Sequence, residues 1–260
     1  MSFQFDSQAR IFDERAGLAP EHCRQIAAAV VELGEVGPSE LIVEVGAGTG
    51  QIGTWLARSR RYFGFDLSNG MLQHFRARMD GAAAEHVLLR ADANRGWPLT
   101  AGAARAVFSS RTLHLLNPEH VAAEVFRVAG PTGATLIMGR VERPRDSVRS
   151  RMAAEMRSLL RRHGFDSRGD QPHRRLVDAC ERRGAVALQP STAATWPVTA
   201  SARQSVDAWR QRPGPGLVDV PDAVRRAVLD ELEAWAADAF GGLDRTCESQ
   251  EAYVLTPLRC

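Results

Sequence analysis

Short apolar runs alternate along the chain with stretches whose apolar residues return every three or four positions, the two periods of buried strand and amphipathic helix. Leu41, Ile42, Val43 and Val45 form the first run, and further runs follow at 62–65, 87–89, 106–108 and 134–138. Between them lie helical patterns. Ile26, Ala29, Val30 and Leu33 share one face over 21–33, and Met71, Leu72 and Phe75 share one over 69–79, with Ser68 placed to cap the latter. Further helices are predicted near 51–59 and over 118–129, where Pro118 stands at the start. Strands that alternate with helices, each strand apolar throughout, predict a parallel sheet covered on both faces. Beyond residue 142 the pattern turns helical, at 146–164, 171–183, 202–211 and 222–239, with strands expected near 186–188 and 252–256. No internal repeat interrupts the chain, and no linker is long enough to divide it.

The turn after the first strand carries the chemistry. In 41–53 the sequence reads LIVEVGAGTGQIG, with Gly46, Gly48 and Gly50 at alternate positions. A glycine turn between a buried strand and a helix lets a ligand approach the main chain, because no Cβ intervenes. Two cofactor classes fit. Gly48, Gly50 and Gly53 satisfy the G-x-G-x-x-G of dinucleotide sites, a weak pattern when alone. Read from Gly46, the pattern gains Glu44 inside the strand. A carboxylate there repels a diphosphate and suits a ligand bearing an amine and a sulfonium, such as S-adenosylmethionine. Asp66 ends the second strand 20 residues beyond Gly46, where a carboxylate meets ribose hydroxyls in either class. Asp92, just past the third strand, separates the two, because only the methyltransferase arrangement needs an acid there for the adenine amino group.

Composition narrows the chemistry further. The 260 residues are 44% hydrophobic and 25% charged, with a net charge of +2, an ordinary globular balance. All 33 basic positions are arginine. Schiff-base lysine chemistry, covalently held pyridoxal phosphate and a P-loop lysine are thereby excluded. Cys23, Cys180, Cys247 and Cys260 lie far apart, which argues against structural zinc or a disulfide framework. The opening residues MSFQFDSQAR lack the basic and apolar regions of a secretory signal, no apolar run approaches a membrane span, and a cytoplasmic protein is expected. Arginines dense between Arg140 and Arg183 are either a solvated helix face or an attractor for an anionic acceptor. Aromatic residues are not interleaved with them, so nucleic acid is not expected as a partner.

Taken together, Glu44-x-Gly46-x-Gly48-x-Gly50, the Phe65-Asp66-Leu67-Ser68 stretch with Met71-Leu72, Ala91-Asp92-Ala93, and 109–116 resemble class I S-adenosylmethionine-dependent methyltransferases, of the small-molecule group related to ubiquinone-type enzymes. The resemblance covers roughly residues 8–142. One departure is Ala104-Arg105, where relatives carry Phe-Asp before the fourth strand. The resemblance implies a single α/β domain over 1–260: a Rossmann-like, doubly wound sheet of seven strands, the last antiparallel. It also implies an N-terminal arm and helix over 1–33 and a helical lid inserted after strand five, over 143–185. It implies S-adenosylmethionine held by Phe12, Arg15, Glu44, Gly46, Ala47, Gly48, Gly50, Asp66, Leu67, Met71, Asp92, Ala93 and Ser109, with no metal. Phe12 and Arg15 would close over the methionine end, the arginine meeting its carboxylate. His114, past the fourth strand, is the expected general base, with Glu142, His163 and His173 in reserve. The acceptor would be a small molecule, with an anionic compound or one of secondary metabolism among the readings. An NAD-dependent oxidoreductase and a non-catalytic cofactor-binding partner protein are the alternatives.

Overall fold

The computed structural model describes residues 18–80, 85–165, 171–211 and 220–260. The apolar run at 41–45 is strand β1 (Leu41–Val45), preceded by helix α1 (Pro20–Leu33). There follow α2 (Gly53–Ser59), β2 (Arg61–Asp66), α3 (Asn69–Arg78), β3 (His86–Arg90), β4 (Ala106–Ser110), α4 (Pro118–Ala129) and β5 (Thr135–Glu142). Then come α5 (Val148–Arg162), α6 (Gln171–Glu181), β6 (Val186–Ala187), β7 (Ser191–Ser201), α7 (Ala202–Gln211), α8 (Asp222–Phe240) and β8 (Thr246–Arg259). Caps fall where the sequence places them. Ser68 Oγ accepts from the Met71 N–H at 3.1 Å, and Asn117 Oδ1 accepts from Glu119 and His120 ahead of α4.

The sheet runs β3-β2-β1-β4-β5-β8-β6, and its β3 to β5 portion is parallel throughout. β6 pairs antiparallel with β8. The order reverses at β1, between β2 and β4, which makes it the switch point where open α/β sheets bind ligands. Among the described residues the sheet has eight strands, one more than expected. The extra strand is β7, which pairs with β8 off the main path. Its sequence contains Pro197, which lacks an N–H for the ladder and is admitted at such a margin.

The chain divides into two units. The first takes its described residues from Met1–Arg140, Gln171–Ala194 and Tyr253–Cys260, the second from Val141–Asp170 and Thr195–Ala252. In the first, strand residues alternate between two covered faces. Val43, Val45, Phe63, Phe65, Val107 and Met138 are packed with Val121 and Val125 of α4 and Leu176 and Cys180 of α6. The alternate residues Ile42 and Tyr62 are as deeply buried, at 0% and 1% exposure. Burial of that order is worth about 25 cal/mol per Å² of apolar surface, and it is why β1, β2, β4 and β5 read as continuous apolar runs, whereas the edge strand β3 leaves Val87 and Leu89 exposed. The second unit has its own core, in which Met152, Met156, Leu159 and Leu160 of α5 meet Val206 of α7 and Val228, Leu229 and Leu232 of α8. Of the helical insert expected at 143–185, α5 belongs to the second unit and α6 to the first.

A polar clamp fastens the loop after β3 to the first unit. Glu124 of α4 accepts the Trp97 backbone N–H at 2.6 Å and the Arg127 Nε at 2.9 Å. Arg127 in turn donates to the carbonyls of Leu99 and Trp97 at 2.7 and 3.0 Å. The Arg127 guanidinium holds the Glu124 carboxyl below the usual carboxylate range. A depressed folded-state pKa adds stability above the unfolded value, and that stability is lost as pH falls through the folded value. Glu124→Ala should cost about 1.5–3 kcal/mol near pH 7, the range for hydrogen bonds to a charged group. Chemical denaturation at pH 7 and pH 3 checks this: the gap between variant and parent should narrow at the lower pH.

Candidate active site

The carboxyl ends of β1, β2, β3 and β4 bring the expected residues into one part of the first unit. β1 leads into the glycine turn, where Gly46, Gly48 and Gly50 hold φ of 74°, 57° and 77°. The three are glycines for different reasons. A Cβ on Gly46 would collide with the side chain of Thr112, and one on Gly50 with the ring of Phe75. At Gly48 the nearest atom to such a Cβ is the Gly46 carbonyl oxygen, 3.9 Å away. The space beside Gly48 is open, as a ligand lying against the main chain requires.

The turn is braced from β2. The N–H groups of Gly46 and Ala47 both donate to the Phe65 carbonyl, at 2.9 and 3.1 Å. Gly48 N–H donates to Asp66 Oδ2 at 2.9 Å, and Ser68 N–H to Asp66 Oδ1 at 2.8 Å. These two bonds orient the Asp66 carboxylate at the edge of the turn. Leu67 beside it is 38% exposed. Met71 is 3% exposed and packs as a core residue.

Glu44 is the unexpected member. Its carboxyl is not displayed at the turn but buried beneath it, at 3% exposure, accepting a short hydrogen bond from the Tyr62 hydroxyl. The register sets Glu44 against Gly64, and the missing side chain leaves room for the Tyr62 ring. Burial pushes the carboxyl up to about 8 and the neighbouring Asp66 charge adds to the rise, while the Tyr62 bond and the Arg111 charge oppose it. Gly53 has its reason here too, because a Cβ on it would strike Glu44 Oε2 and would stand 2.6 Å from the Tyr62 hydroxyl.

Past β3, Asp92 Oδ1 accepts the Asn94 N–H at 2.9 Å, and Ala93 is buried at 8% exposure. Asn94 then ties this loop to the one after β4. Its Oδ1 accepts the Asn117 N–H at 2.7 Å, and its Nδ2 donates to the Leu115 carbonyl at 3.4 Å. His114 lies between, on the 3-10 turn Leu113–Leu115, exposed, with Leu115 at 50% exposure beside it. Desolvation by the surrounding loops lowers the His114 pKa below its ordinary 6.5. Ser109 is 1% exposed and its hydroxyl donates to the Val45 carbonyl at 2.9 Å, so it holds β4 to β1. Phe12 and Arg15 lie outside the described residues. Of the reserves, Glu142 and His163 fall in the second unit, where His163 Nε2 is 2.8 Å from Glu231, and His173 is on α6.

Sequence reasoning passed over Tyr62, Arg111 and Asn94. Tyr62 carried a signal, as the one polar-tipped residue in an apolar strand that also contains a glycine. Arg111 carried none: its φ of 57° depends on tertiary packing.

Residues 42–133 match the protein family described as methyltransferase domain. No curated protein matches the sequence. Several solved structures are similar in fold at low identity. A candidate methyltransferase from Bacillus halodurans C-125 superposes with a TM-score of 0.57 at 17% identity, over 90% of this chain and 97% of its own. The [4+2]-cyclase SpnF gives 0.53 at 18%, over 91% and 80%. Geranyl diphosphate C-methyltransferase from Streptomyces coelicolor A3(2), solved with magnesium, geranyl diphosphate and S-adenosyl-L-homocysteine, gives 0.50 at 15%, over 89% and 77%. A cyclase among them is a reminder that fold alone does not fix the reaction. The family match falls on the glycine turn and the loops after β2, β3 and β4. Over residues 42–133 the chain is similar to the methyltransferase-domain family, and across most of its length it shares the fold of these structures.

Proposed function

We propose that the acceptor is a small molecule, methylated by in-line displacement with His114 as general base. The observation that carries this reading is the pair of Asn94 bonds. They join the loop bearing Asp92, which would meet the adenine, to the turn bearing His114. The cofactor supplies an activated methyl group on a sulfonium. The chain's own residues have the tasks of binding, alignment and proton removal. Asp66, held by two backbone donors, accepts the ribose hydroxyls, and exposed Leu67 packs against the adenine. Asp92 and Ala93 border the base, and Met71 supports that wall from the core. The main chain of Gly46, Ala47, Gly48 and Gly50 lies along the methionine end, with Glu44 acting electrostatically from beneath. Ser109 keeps β4 in register with β1. Phe12 and Arg15 are assigned to the methionine end on resemblance alone.

A lowered pKa keeps the His114 imidazole neutral at pH 7, the form that accepts a proton from a hydroxyl or protonated amine. An anionic acceptor receives less support. Arg143 and Arg149 share Glu251 at 2.8 and 3.0 Å, Arg162 pairs with Glu155, and Arg182 and Arg183 both pair with Glu119. These arginines are engaged in ion pairs within their own units, so the acceptor's charge is left out of the proposal.

Three measurements test this. In calorimetry, S-adenosylhomocysteine should bind and NAD should not, and Asp66→Ala should weaken the former by about 1.5–3 kcal/mol. An Asp66→Ala variant that binds as tightly as the parent removes Asp66 from the site.

Proton linkage probes Glu44. Its carboxyl, near 8 in the free protein and facing Tyr62, Asp66 and Arg111, is protonated at pH 6.5. If a cationic amine is bound above it, the carboxyl ionises and close to one proton is released. Heats measured at pH 6.5 in buffers of different ionisation enthalpy should show that release, and Glu44→Gln should abolish it. Identical proton counts for both proteins would leave Glu44 a purely structural acid.

The third concerns rate. With saturating cofactor, His114→Gln should lower kcat by about 10²–10⁴-fold and remove the acidic limb of its pH profile, which should lie below pH 6.5. A kcat within a few-fold and an unchanged limb would make His114 a bystander.

A further inference from the structure

Arg111 is the first residue after β4 and one of two described non-glycine residues with positive φ, at 57°. Side chains rarely adopt that conformation, and it persists where neighbouring packing holds it. Here the holder is visible. Thr112, the next residue, packs into the space that Gly46 leaves, its hydroxyl 3.2 Å from the Ser110 carbonyl and 3.5 Å from that of Gly46. With Thr112 so anchored, the partly buried Arg111 reaches the glycine turn, where Nη2 donates to Gln51 Oε1 at 3.2 Å. Its positive charge is also felt by Glu44 beneath the turn and by Tyr253 of β8.

Four N–H groups of the turn are already engaged within the protein. The N–H groups of Gly46 and Ala47 donate to Phe65, that of Gly48 to Asp66, and that of Gly50 to Ala47. The methionine end of the cofactor is a zwitterion, and with these four N–H groups committed a side-chain cation beside the turn suits its carboxylate, in addition to the Arg15 that resemblance assigns to the same end. We propose that Arg111 binds the α-carboxylate of the cofactor's methionine end, a guanidinium positioned over the glycine turn by its left-handed backbone. The assignment rests on the reading of that turn as the place of the methionine end. It gives the zwitterion two opposed partners, Glu44 below for the ammonium and Arg111 above for the carboxylate. A charge-assisted contact of this kind is worth roughly tenfold to a hundredfold in affinity.

Ligands trimmed at one end separate the two ideas. S-adenosylhomocysteine carries the carboxylate; 5′-methylthioadenosine lacks the whole amino acid, and decarboxylated S-adenosylmethionine lacks only the carboxylate. Arg111→Gly removes the guanidinium and relieves the backbone, so its melting temperature should equal or exceed the parent's. Arg111→Asn, which also tolerates left-handed φ, is the second variant. The expected result is a loss of roughly 10–100-fold in affinity for S-adenosylhomocysteine, with both trimmed ligands bound as by the parent. Equal loss for all three ligands, or no loss for any, overturns the assignment. So does unchanged cofactor affinity with a raised KM for acceptor, which would turn the guanidinium toward the acceptor. A parent that binds none of the three overturns the reading of the turn itself, a failure distinct from that of Arg111.

Discussion

The constraint on which the site depends is a carboxyl buried under a glycine turn. Glu44 has 3% exposure and the Tyr62 hydroxyl as its hydrogen-bond donor. An ionised carboxylate in such a place loses its hydration, so the group stays largely protonated near neutral pH, with its pKa pushed up to about 8. The pair also dictates its surroundings. Gly53 and Gly64 are glycines because side chains there would run into Glu44 and Tyr62, and Phe75 of α3 closes the space edge-on to the Tyr62 ring at 5.7 Å. Linkage follows the sign of the shift. The folded pKa exceeds the unfolded value of about 4.5, so the folded state holds the extra proton between them and loses stability as pH rises from 4.5 toward 8. A cationic ligand over the turn offsets that loss by stabilising the ionised form.

Much of this was legible in the sequence, for local reasons. Buried parallel strands announce themselves as apolar runs, and all five of the first half begin within one residue of expectation, though the fifth runs on to Glu142. Glycines before Gln51, an acid after each of the next two strands and the Ser68 cap are short-range signals whose geometry the backbone enforces. What escaped notice depended on partners far away in the chain. β7 is marked by Pro197 and pairs with a strand some 50 residues on, so alternation alone did not reveal it. The arginines between 140 and 183 looked like one basic surface, yet Glu251 is 108 residues from Arg143 and Glu119 is 64 from Arg183. Spacing along the chain does not report ion pairs of that separation, and the reading of an anion-attracting face weakened once they were seen.

Arg111 shows the same limit from the side of conformation. Nothing in Ser109-Ser110-Arg111-Thr112 predicts a left-handed arginine, because the cause is the fit of Thr112 against a glycine 66 residues earlier. Sequence patterns report what a residue is; the turn reports which of its glycines makes room for protein and which leaves open space. Gly46, Gly50 and Gly53 are occupied by Thr112, Phe75 and the Glu44–Tyr62 pair, and only Gly48 faces open space. The G-x-G-x-x-G reading therefore drew two of its three glycines from positions whose need is internal packing.

Glu44 also refines the argument that separates the two cofactor classes. A fixed negative charge below the turn would repel a diphosphate outright, but a carboxyl with a pKa near 8 is mostly neutral in the free protein at pH 7. Its selectivity must then arise from response to the ligand. On the proposed reading, a cationic amine bound above the turn would draw the carboxyl into its ionised form and gain an ion pair in a low-dielectric setting, where such attraction is strong. A diphosphate leaves it protonated and gains nothing, while any residual ionised fraction is repelled. Discrimination of this kind is a difference between two binding free energies. It needs a carboxyl that is buried deeply enough to be neutral when alone and lies close enough to the turn to ionise when a cation arrives, and the Tyr62 hydroxyl, which can donate to the ionised form, makes both states tenable.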